Sequence, residues 1–462
     1  MLALVVARSV FVPAASAQDS TPDVIKLVPK VDAAEFARPG ILPDRIILTW
    51  MDEPTTTQAV TWRTSTDVTR GLAEITVANA GPQLETDSRQ VVAETQPLTT
   101  DLNTAHFHTV KFAGLLPKTK YAYRVGDGVN WSEWFQFSTA SETPEPFSFI
   151  YFGDAQNDVR SKWSRVIREA YSDAPKAKFM IHAGDLINKA EADAEWQEWF
   201  EAGAWLNAMV PSVPIVGNHE MAKADGQSRV SHHWRPQFAL PEHGPPGLEE
   251  TCFTMVCQGV RIVGMNSNLE PEKQAEWLDK VLTENQERWV VCTFHHPLFS
   301  TGKDRDNTAL RAIWKPVLDK HRVDLVLQGH DHSYGRTGLD TPVVQANIAT
   351  GATAADMFSG TVYVVSVSGP KMYDLQRHAF MVRQAQDTQL YQIIHIDGDV
   401  LHYEAYTATG EVYDAFSLTK QTGGINRLNE EIPDTPERLR PPVVATPAKK
   451  ASEALKAPAL SP

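Results

Sequence analysis

Between about Asp44 and Ala140, apolar and polar positions alternate in short runs separated by turn residues. RIILTW, AVTWRT, AEITVA, HTVKFAGL and KYAYRV each read as a half-buried strand, with turns at Pro117-Lys118 and Asp127-Gly128. About seven short strands within about a hundred residues predict an all-β sandwich. From Phe147 the pattern changes to short apolar runs alternating with amphipathic helices: SKWSRVIREAY, AEWQEWFEAGAWLNAM and PEKQAEWLDKVLTEN, the last with Pro271 in its first turn. Strands alternating with helices predict an α/β core. Trp196, Trp199, Phe200 and Trp205 fall at helical spacing and read as core packing. VYVVSVSG, YQIIHIDGDVLHYEAYT and EVYDAFSL read as closing strands of a second sheet. Beyond Thr422 a Pro-, Ala- and Lys-rich tail has no apolar period and reads as disordered. The expected divisions are a leader at 1–17, an extension at 18–43, the sandwich at 44–141, the α/β domain at 146–422 and the tail at 423–462.

Five apolar runs in the α/β part each end in a polar cluster: FSFIYFGDAQ, KFMIHAGDLIN, VPSVPIVGNHE, RWVVCTFHHP and DLVLQGHDH. Each is the length of a buried strand, and its polar residues follow the carboxyl end, where open α/β sheets bind ligands. Taken singly, Asp154 or Asp185 could be a turn residue or helix cap, and Asn218-His219 a simple turn. Five such clusters in order point to one pocket holding Asp154, Gln156, Asp185, Asn218, His295, His330 and His332. This oxygen and nitrogen set, without thiolate, suits manganese, zinc or iron, and it suffices for two ions sharing a carboxylate. Two such ions roughly 3.5–4 Å apart can clamp a phosphoryl group and supply hydroxide near neutral pH. Hydrolysis of a phosphoric ester is therefore expected.

The succession GDAQ, AGDLIN, GNHE, FHHP and GHDHSYGR resembles the signature of the calcineurin-like metallophosphoesterases. DRIILTWMDEPTTTQAVTWRT and HTVKFAGLLPKTKYAYRVGDGVNWSEWFQFSTA resemble the fibronectin type III-like domain that precedes the catalytic domain of purple acid phosphatases. The resemblance implies an α/β four-layer metallophosphoesterase sandwich behind an all-β fibronectin type III-like sandwich. It also implies that Asp154, Asp185 and His332 hold one metal, that Asp185 bridges, and that Asn218, His295 and His330 complete the second site. His219 would face substrate and assist the leaving oxygen, so that His219 and Asp185 are the catalytic pair.

Two positions depart from the purple branch. Gln156 stands where that branch has Gly, and Asn188 where it has a metal-bound tyrosine. The first resembles the D-x-Q of manganese-dependent ADP-ribose and CDP-alcohol diphosphatases, where Gln supplies a neutral oxygen ligand. Loss of the tyrosine argues against a purple Fe(III)–tyrosinate centre and for a colourless divalent pair of Mn, Zn or Fe. Asn188 itself would either hydrogen-bond the bridging carboxylate or cap the next helix. His295 and His296 are adjacent, so one points into the site if the backbone is extended; family position selects His295, leaving His296 either near substrate or as packing. Tyr334 and Arg336 lie close enough to His332 to reach substrate oxygens, although Arg336 could equally pair with an acid. His182 reads as a buried structural histidine, and His232 and His233 lie in a loop resembling a substrate-side insertion.

Charge and composition narrow the picture. A formal charge of −14 argues against a nucleic-acid backbone or a membrane surface as the main partner and leaves a phosphorylated small molecule. Hydrophobic residues at 42% and charged ones at 22% fit a folded chain. The opening apolar run ending in Ala15-Ser16-Ala17 reads as a signal peptide, so the protein is expected to be exported, with no transmembrane segment in the mature chain. Cys252 and Cys257 would lie about 17 Å apart on opposite faces of one strand. Free buried thiols follow. The expected function is a secreted dinuclear-metal phosphomonoesterase. The alternatives are a phosphodiesterase or nucleotide diphosphatase, favoured by Gln156, and a non-enzymatic surface-binding protein with a decayed metal site.

Overall fold

The computed structural model describes residues 30–339 and 360–440. The signal peptide call and residues 441–462 of the expected tail lie outside them. Eight strands form the amino-terminal part: β1 (Asp44–Thr49), β2 (Gln58–Ser65), β3 (Leu72–Val77), β4 (Arg89–Val92), β5 (Glu94–Thr99), β6 (Thr104–Phe112), β7 (Lys120–Gly126) and β8 (Phe135–Ser138). They make two four-stranded antiparallel sheets, β1-β2-β6-β5 and β4-β3-β7-β8. Alternation drives Leu48, Val60, Trp62, Ile75, Val110 and Tyr123 into the space between them.

Two seven-stranded sheets follow. The first contains β9 (Phe147–Phe152), β10 (Met180–His182) and β11 (Ser212–Pro214), mutually parallel in the order β11-β10-β9. A hairpin of β12 (Met221–Ala224) and β13 (Gln227–Val230) stands apart. The second sheet contains β14 (Phe253–Cys257), β15 (Val260–Gly264), β16 (Trp289–Thr293), β17 (Leu325–Gln328), β18 (Tyr334–Thr337), β19 (Val362–Val365) and β20 (Met381–Ala385). The first is completed by β21 (Leu390–Asp397), β22 (Val400–Thr407), β23 (Val412–Thr419) and β24 (Arg427–Glu430). The closing strands thus divide: VYVV joins β17 in the second sheet, and the later runs extend the first from β9.

One core lies between the two sheets, where Tyr151, Ile181, Val213, Ile262, Val291 and Leu327 are buried. Helices Ser164–Asp173 and Asp193–Gly203 cover the outer face of the first sheet, and Pro271–Thr283 and Thr308–Lys320 that of the second, where Leu278, Trp314 and Val326 pack. The result is four layers. Trp196, Trp199 and Phe200 are core, but Trp205 is 48% exposed. The helix stops at Gly203, and Ala204 with φ of 42° turns the chain, which breaks the helical register before Trp205. Cys252, Cys257 and Cys292 are free and buried.

The expected start of the tail at 423 needs correction. β24 pairs with β23, Arg383 holds the Thr435 carbonyl at 2.9 Å, and Gln386 N–H donates to Arg438 O at 2.7 Å. Scattered anchors of this kind leave no periodic trace. Among the described residues, no helix is long and apolar enough to cross a membrane.

The sandwich meets the α/β part through buried polar contacts. Arg45 reaches Asp193 at 2.8 Å, Thr61 Oγ1 donates to Gln237 O at 2.6 Å, and Tyr123 Oη donates to Ala208 O at 2.6 Å. A cleft of about 810 Å³ also opens between the two parts. It is lined by Phe147 and Ser148 at the start of β9, the opposite end from Asp154, and so is not the site described next.

Candidate metal centre

All five ligand-bearing segments leave the carboxyl ends of parallel strands. Asp154 and Gln156 follow β9, Asp185 follows β10 and Asn218 follows β11 in one sheet, while His295 follows β16 and His330 and His332 follow β17 in the other. Facing sheets therefore deliver their ends to one place. Tight turns make the approach possible. Gly184 has φ of +88°, and a Cβ on Gly217 would sit 2.2 Å from Asp185 Oδ1. Asp185, His330 and His332 themselves take left-handed conformations, at φ of 53°, 76° and 47°. Such backbone strain concentrates at functional sites.

Two groups of potential ligand atoms share one carboxylate: Asp154, Asp185 and His332 in the first, Asp185, His295 and His330 in the second. The histidine tautomers follow from their outer contacts. His295 Nδ1–H donates to Ala183 O at 2.9 Å, so its Nε2, the lone-pair nitrogen of the neutral ring, faces Asn218 Oδ1 at 3.0 Å and Asp185 Oδ2 at 3.1 Å. His332 Nδ1–H donates to Lys371 O at 3.0 Å and likewise leaves Nε2 facing inward. Carbonyl anchoring of the outer nitrogen is how metal-binding histidines are commonly oriented. His330 Nδ1 lies 2.8 Å from Asn218 Oδ1 and 3.1 Å from His295 Nε2.

The amide of Gln156 lies between the two groups, with Nε2 at 2.9 Å from Asp185 Oδ2 and 3.0 Å from His332 Nε2. A half-turn of the amide would present oxygen to the same point. Asp154 Oδ2 and Gln156 Oε1 are buried without a hydrogen-bond partner. Buried acceptors with nothing to accept are costly unless a cation meets them, and the donor set fits a divalent pair.

The electrostatics have the same origin. Burial pushes the Asp154 carboxyl well above its usual range. His332 is lowered to about 3 by burial and then by Lys371, His296 to about 3 by burial and then by His295, and His330 is lowered by burial and its histidine neighbours. His295 goes the other way, to about 9: burial lowers it, but the Asp185 charge outweighs burial. Crowded acceptors around Asp185 thus favour positive charge in their midst, and three of the rings keep their lone pairs.

His219 sits at the rim. Its N–H donates to Asp185 Oδ1 at 2.9 Å, and its ring Nδ1–H donates to the Asn188 carbonyl at 2.6 Å, leaving Nε2 turned toward the site, 3.9 Å from Asp185 Oδ2. Asn188 thus acts through its main chain, and its N–H donates to Glu195 at the following helix. His296 packs its ring on His330 at 4.3 Å and binds Ser267 Oγ at 2.8 Å. His182 is buried against Phe152 and Trp199, a structural role.

Tyr334 and Arg336 are corrected. Both are fully buried. Tyr334 Oη donates to Asp414 at 2.6 Å, and Arg336 forks onto Asp414 at 2.7 and 2.9 Å and onto Glu430 at 2.7 Å. Proximity to His332 in sequence misled because β18 carries the pair back between the sheets.

Several site residues have no signal in the strand-end pattern. Glu220, fully buried, accepts from the N–H groups of Asp185 at 2.8 Å, Leu186 at 2.8 Å and Gly217 at 2.7 Å, so it fixes two ligand loops at once. Asp331, between the two histidines, accepts from Ser300 Oγ at 2.6 Å and Arg305 Nε at 3.1 Å. Arg305 also touches His330 and lies over the Tyr373 ring, which packs on His332. The STGKDRDN segment therefore brings a guanidinium to the rim.

Comparison with known proteins agrees with this architecture. Residues 43–139 match the family described as purple acid phosphatase, N-terminal domain, and residues 147–334 match calcineurin-like phosphoesterase. An uncharacterized protein of Mycobacterium tuberculosis is 26% identical over 330 residues, covering 60% of this chain and 61% of its own length. A probable purple acid phosphatase of Arabidopsis thaliana is 24% identical over 307 residues, covering 64% and 66%. The chain thus spans less than two thirds of the length of these relatives. In fold it is similar to a purple acid phosphatase from yellow lupin seeds, with a TM-score of 0.68 at 16% identity over 82% of this chain and 74% of that one. It is also similar to PhoD, with a TM-score of 0.62 at 13% identity over 88% and 94%. The chain thus carries a calcineurin-like phosphoesterase domain behind a purple acid phosphatase N-terminal domain, and is purple acid phosphatase-like.

Proposed function

We propose that the chain is an exported dinuclear-metal phosphoesterase that hydrolyses phosphate monoesters. The observation that carries this reading is the pair of ligand groups joined by Asp185. Asp154, Gln156, Asp185 and His332 would hold one ion, and Asp185, Asn218, His295 and His330 the other. When bound, such a pair neutralises the phosphoryl oxygens and supplies a nucleophilic oxygen near neutral pH.

The chain's own residues do the rest. Ala183 and Lys371 carbonyls fix the rings of His295 and His332, and Glu220 fixes the loops of Asp185 and Gly217. In its imidazolium form His219, whose outer Nδ1–H is committed to the Asn188 carbonyl, offers Nε2–H to the leaving oxygen as a proton donor or as a hydrogen-bond donor to developing charge. Arg305 is placed to bind a non-bridging oxygen. Its guanidinium is partly exposed beside His330 and is held in orientation by Asp331. Asn188 stands where the purple branch has its metal-bound tyrosine, which supports a colourless divalent centre. The small-residue sequence before Gln18 supports export, and amino-terminal sequencing of secreted protein should begin at Gln18.

Gln156 supports a second reading, a phosphodiesterase or nucleotide diphosphatase, because Asp154-Ala155-Gln156 resembles the D-x-Q of the ADP-ribose and CDP-alcohol diphosphatases. Parallel rates on p-nitrophenyl phosphate and bis(p-nitrophenyl) phosphate decide. The monoester should be hydrolysed faster. Clear preference for the diester would replace the first reading with the second.

A further inference from the structure

A separate group of metal-ligand side chains lies where the sandwich meets the phosphoesterase domain: Glu191, His232 and His233, with ligand atoms all within 4.8 Å of one another. None of the three enters the centre around Asp185. Glu191 sits in the loop after β10, and the two histidines sit in the turn after β13. Their rings lie side by side, with centroids 4.6 Å apart at 40°.

The outer nitrogen of each ring faces an anchor. His232 Nε2–H donates to the Thr99 carbonyl of β5 at 3.2 Å, and His233 Nε2 lies 3.5 Å from Asp193 Oδ1. A carbonyl cannot donate, so this contact fixes the proton of neutral His232 on Nε2. The inner Nδ1 atoms of both rings face the same carboxylate oxygen: His232 in direct contact, His233 at 3.6 Å. Ser231 Oγ, 3.3 Å from His233 Nδ1, gives its own proton to Ala190 O at 2.7 Å and so offers that ring no donor.

Two ring nitrogens and a carboxylate therefore converge on one point. Both Glu191 oxygens are shielded from solvent, and among the described residues the basic groups paired with Glu191 are the two rings. The neighbouring Asp193 is differently placed, since Arg45 at 2.8 Å and Arg63 at 3.4 Å already balance its charge. A histidine pair anchored on the outside by a carbonyl and a carboxylate, and turned inward onto one acid, is the arrangement by which proteins orient metal ligands.

We propose that Glu191, His232 and His233 bind a further transition-metal ion of the zinc class, separate from the pair at Asp185. A His₂–carboxylate set without thiolate suits Zn(II), Co(II) or Ni(II). Its role is to tie three elements: β5 of the sandwich through Thr99, the β13 turn, and the loop that carries Asn188. That loop orients His219, so the ion braces the rim of the main centre from the domain junction.

The test uses the full chain with Asp185→Asn as background, so that the main centre is weakened and activity is not the readout. Chelator-stripped protein is loaded with Co(II) alone, dialysed and analysed for cobalt, and its visible absorption is recorded. The Asp185→Asn protein should retain one equivalent with a visible d–d band, and His232→Gln or Glu191→Gln added to it should remove both. Melting in chelator should be alike for all three proteins, and zinc should raise the melting temperature of the first only. Equal cobalt in the three proteins, or none in any, would overturn the proposal. In that case Glu191 and His232 form an ordinary imidazolium–carboxylate pair, and the reading of the main centre stands untouched.

Discussion

Asp185→Asn should lower kcat/KM on p-nitrophenyl phosphate about a thousandfold or more, equivalent to about 4 kcal/mol in the activation barrier. Asp185 belongs to both ligand groups and is buried, with Oδ2 at 3.1 Å from His295 Nε2 and Oδ1 accepting from His219 N–H at 2.9 Å. Asparagine keeps the shape but removes the charge and turns one arm into a donor facing lone pairs. Both cation positions are weakened by the one change, whereas a change at His332 or His330 touches one group. The fold should survive, because the Glu220 bridge holds the loop through main-chain N–H groups. Unchanged activity in a folded variant would remove the mechanism and favour a binding protein with a decayed site.

The second large effect is on stability. Arg336→Met should destabilise the protein by about 3–5 kcal/mol, the cost of leaving a buried charge without its partner. Arg336 is fully buried and bridges the two sheets: it comes from β18 in one, and its partners Asp414 and Glu430 come from β23 and β24 in the other. Without it Asp414, itself buried, keeps the Tyr334 hydroxyl at 2.6 Å but loses both guanidinium bonds. Denaturant unfolding measures the loss, and steady-state kinetics on the folded fraction should return an unaltered KM. A raised KM at unchanged stability would restore Arg336 as a substrate contact.

These two residues also mark how far the sequence could be read. The ligand-bearing positions were legible because each is tied to a local pattern, a buried strand ending in polar residues, and strand ends in an α/β fold point to one side. Asp154, Asp185 and His295 need nothing more. What surrounds them is fixed by tertiary contacts that leave no period. Glu220 looks like the end of a GNHE motif, yet it accepts from backbone groups more than thirty residues away in sequence, at Asp185 and Leu186. Arg305 and Tyr373 come from distant segments and meet only across the rim.

The misreadings have the same cause. Arg336 was close to His332 along the chain, but strand direction carried it between the sheets. Trp205 kept helical spacing with Trp199, but the helix had already ended at Gly203. The segment from 423 to 440 lacked apolar rhythm and was nevertheless docked by single contacts, such as the Arg336–Glu430 pair at 2.7 Å. Where burial alternates with a fixed period, the sequence is informative. Where one ion pair decides, it is silent.

Two cations sharing Asp185 are the core of the mechanism, and anomalous diffraction from crystals of manganese-loaded protein locates them directly. Two peaks roughly 3.5–4 Å apart, one on each side of the Asp185 carboxylate, are the result the account predicts. A single peak there, or none in a crystal whose protein hydrolyses phosphate esters, would contradict it.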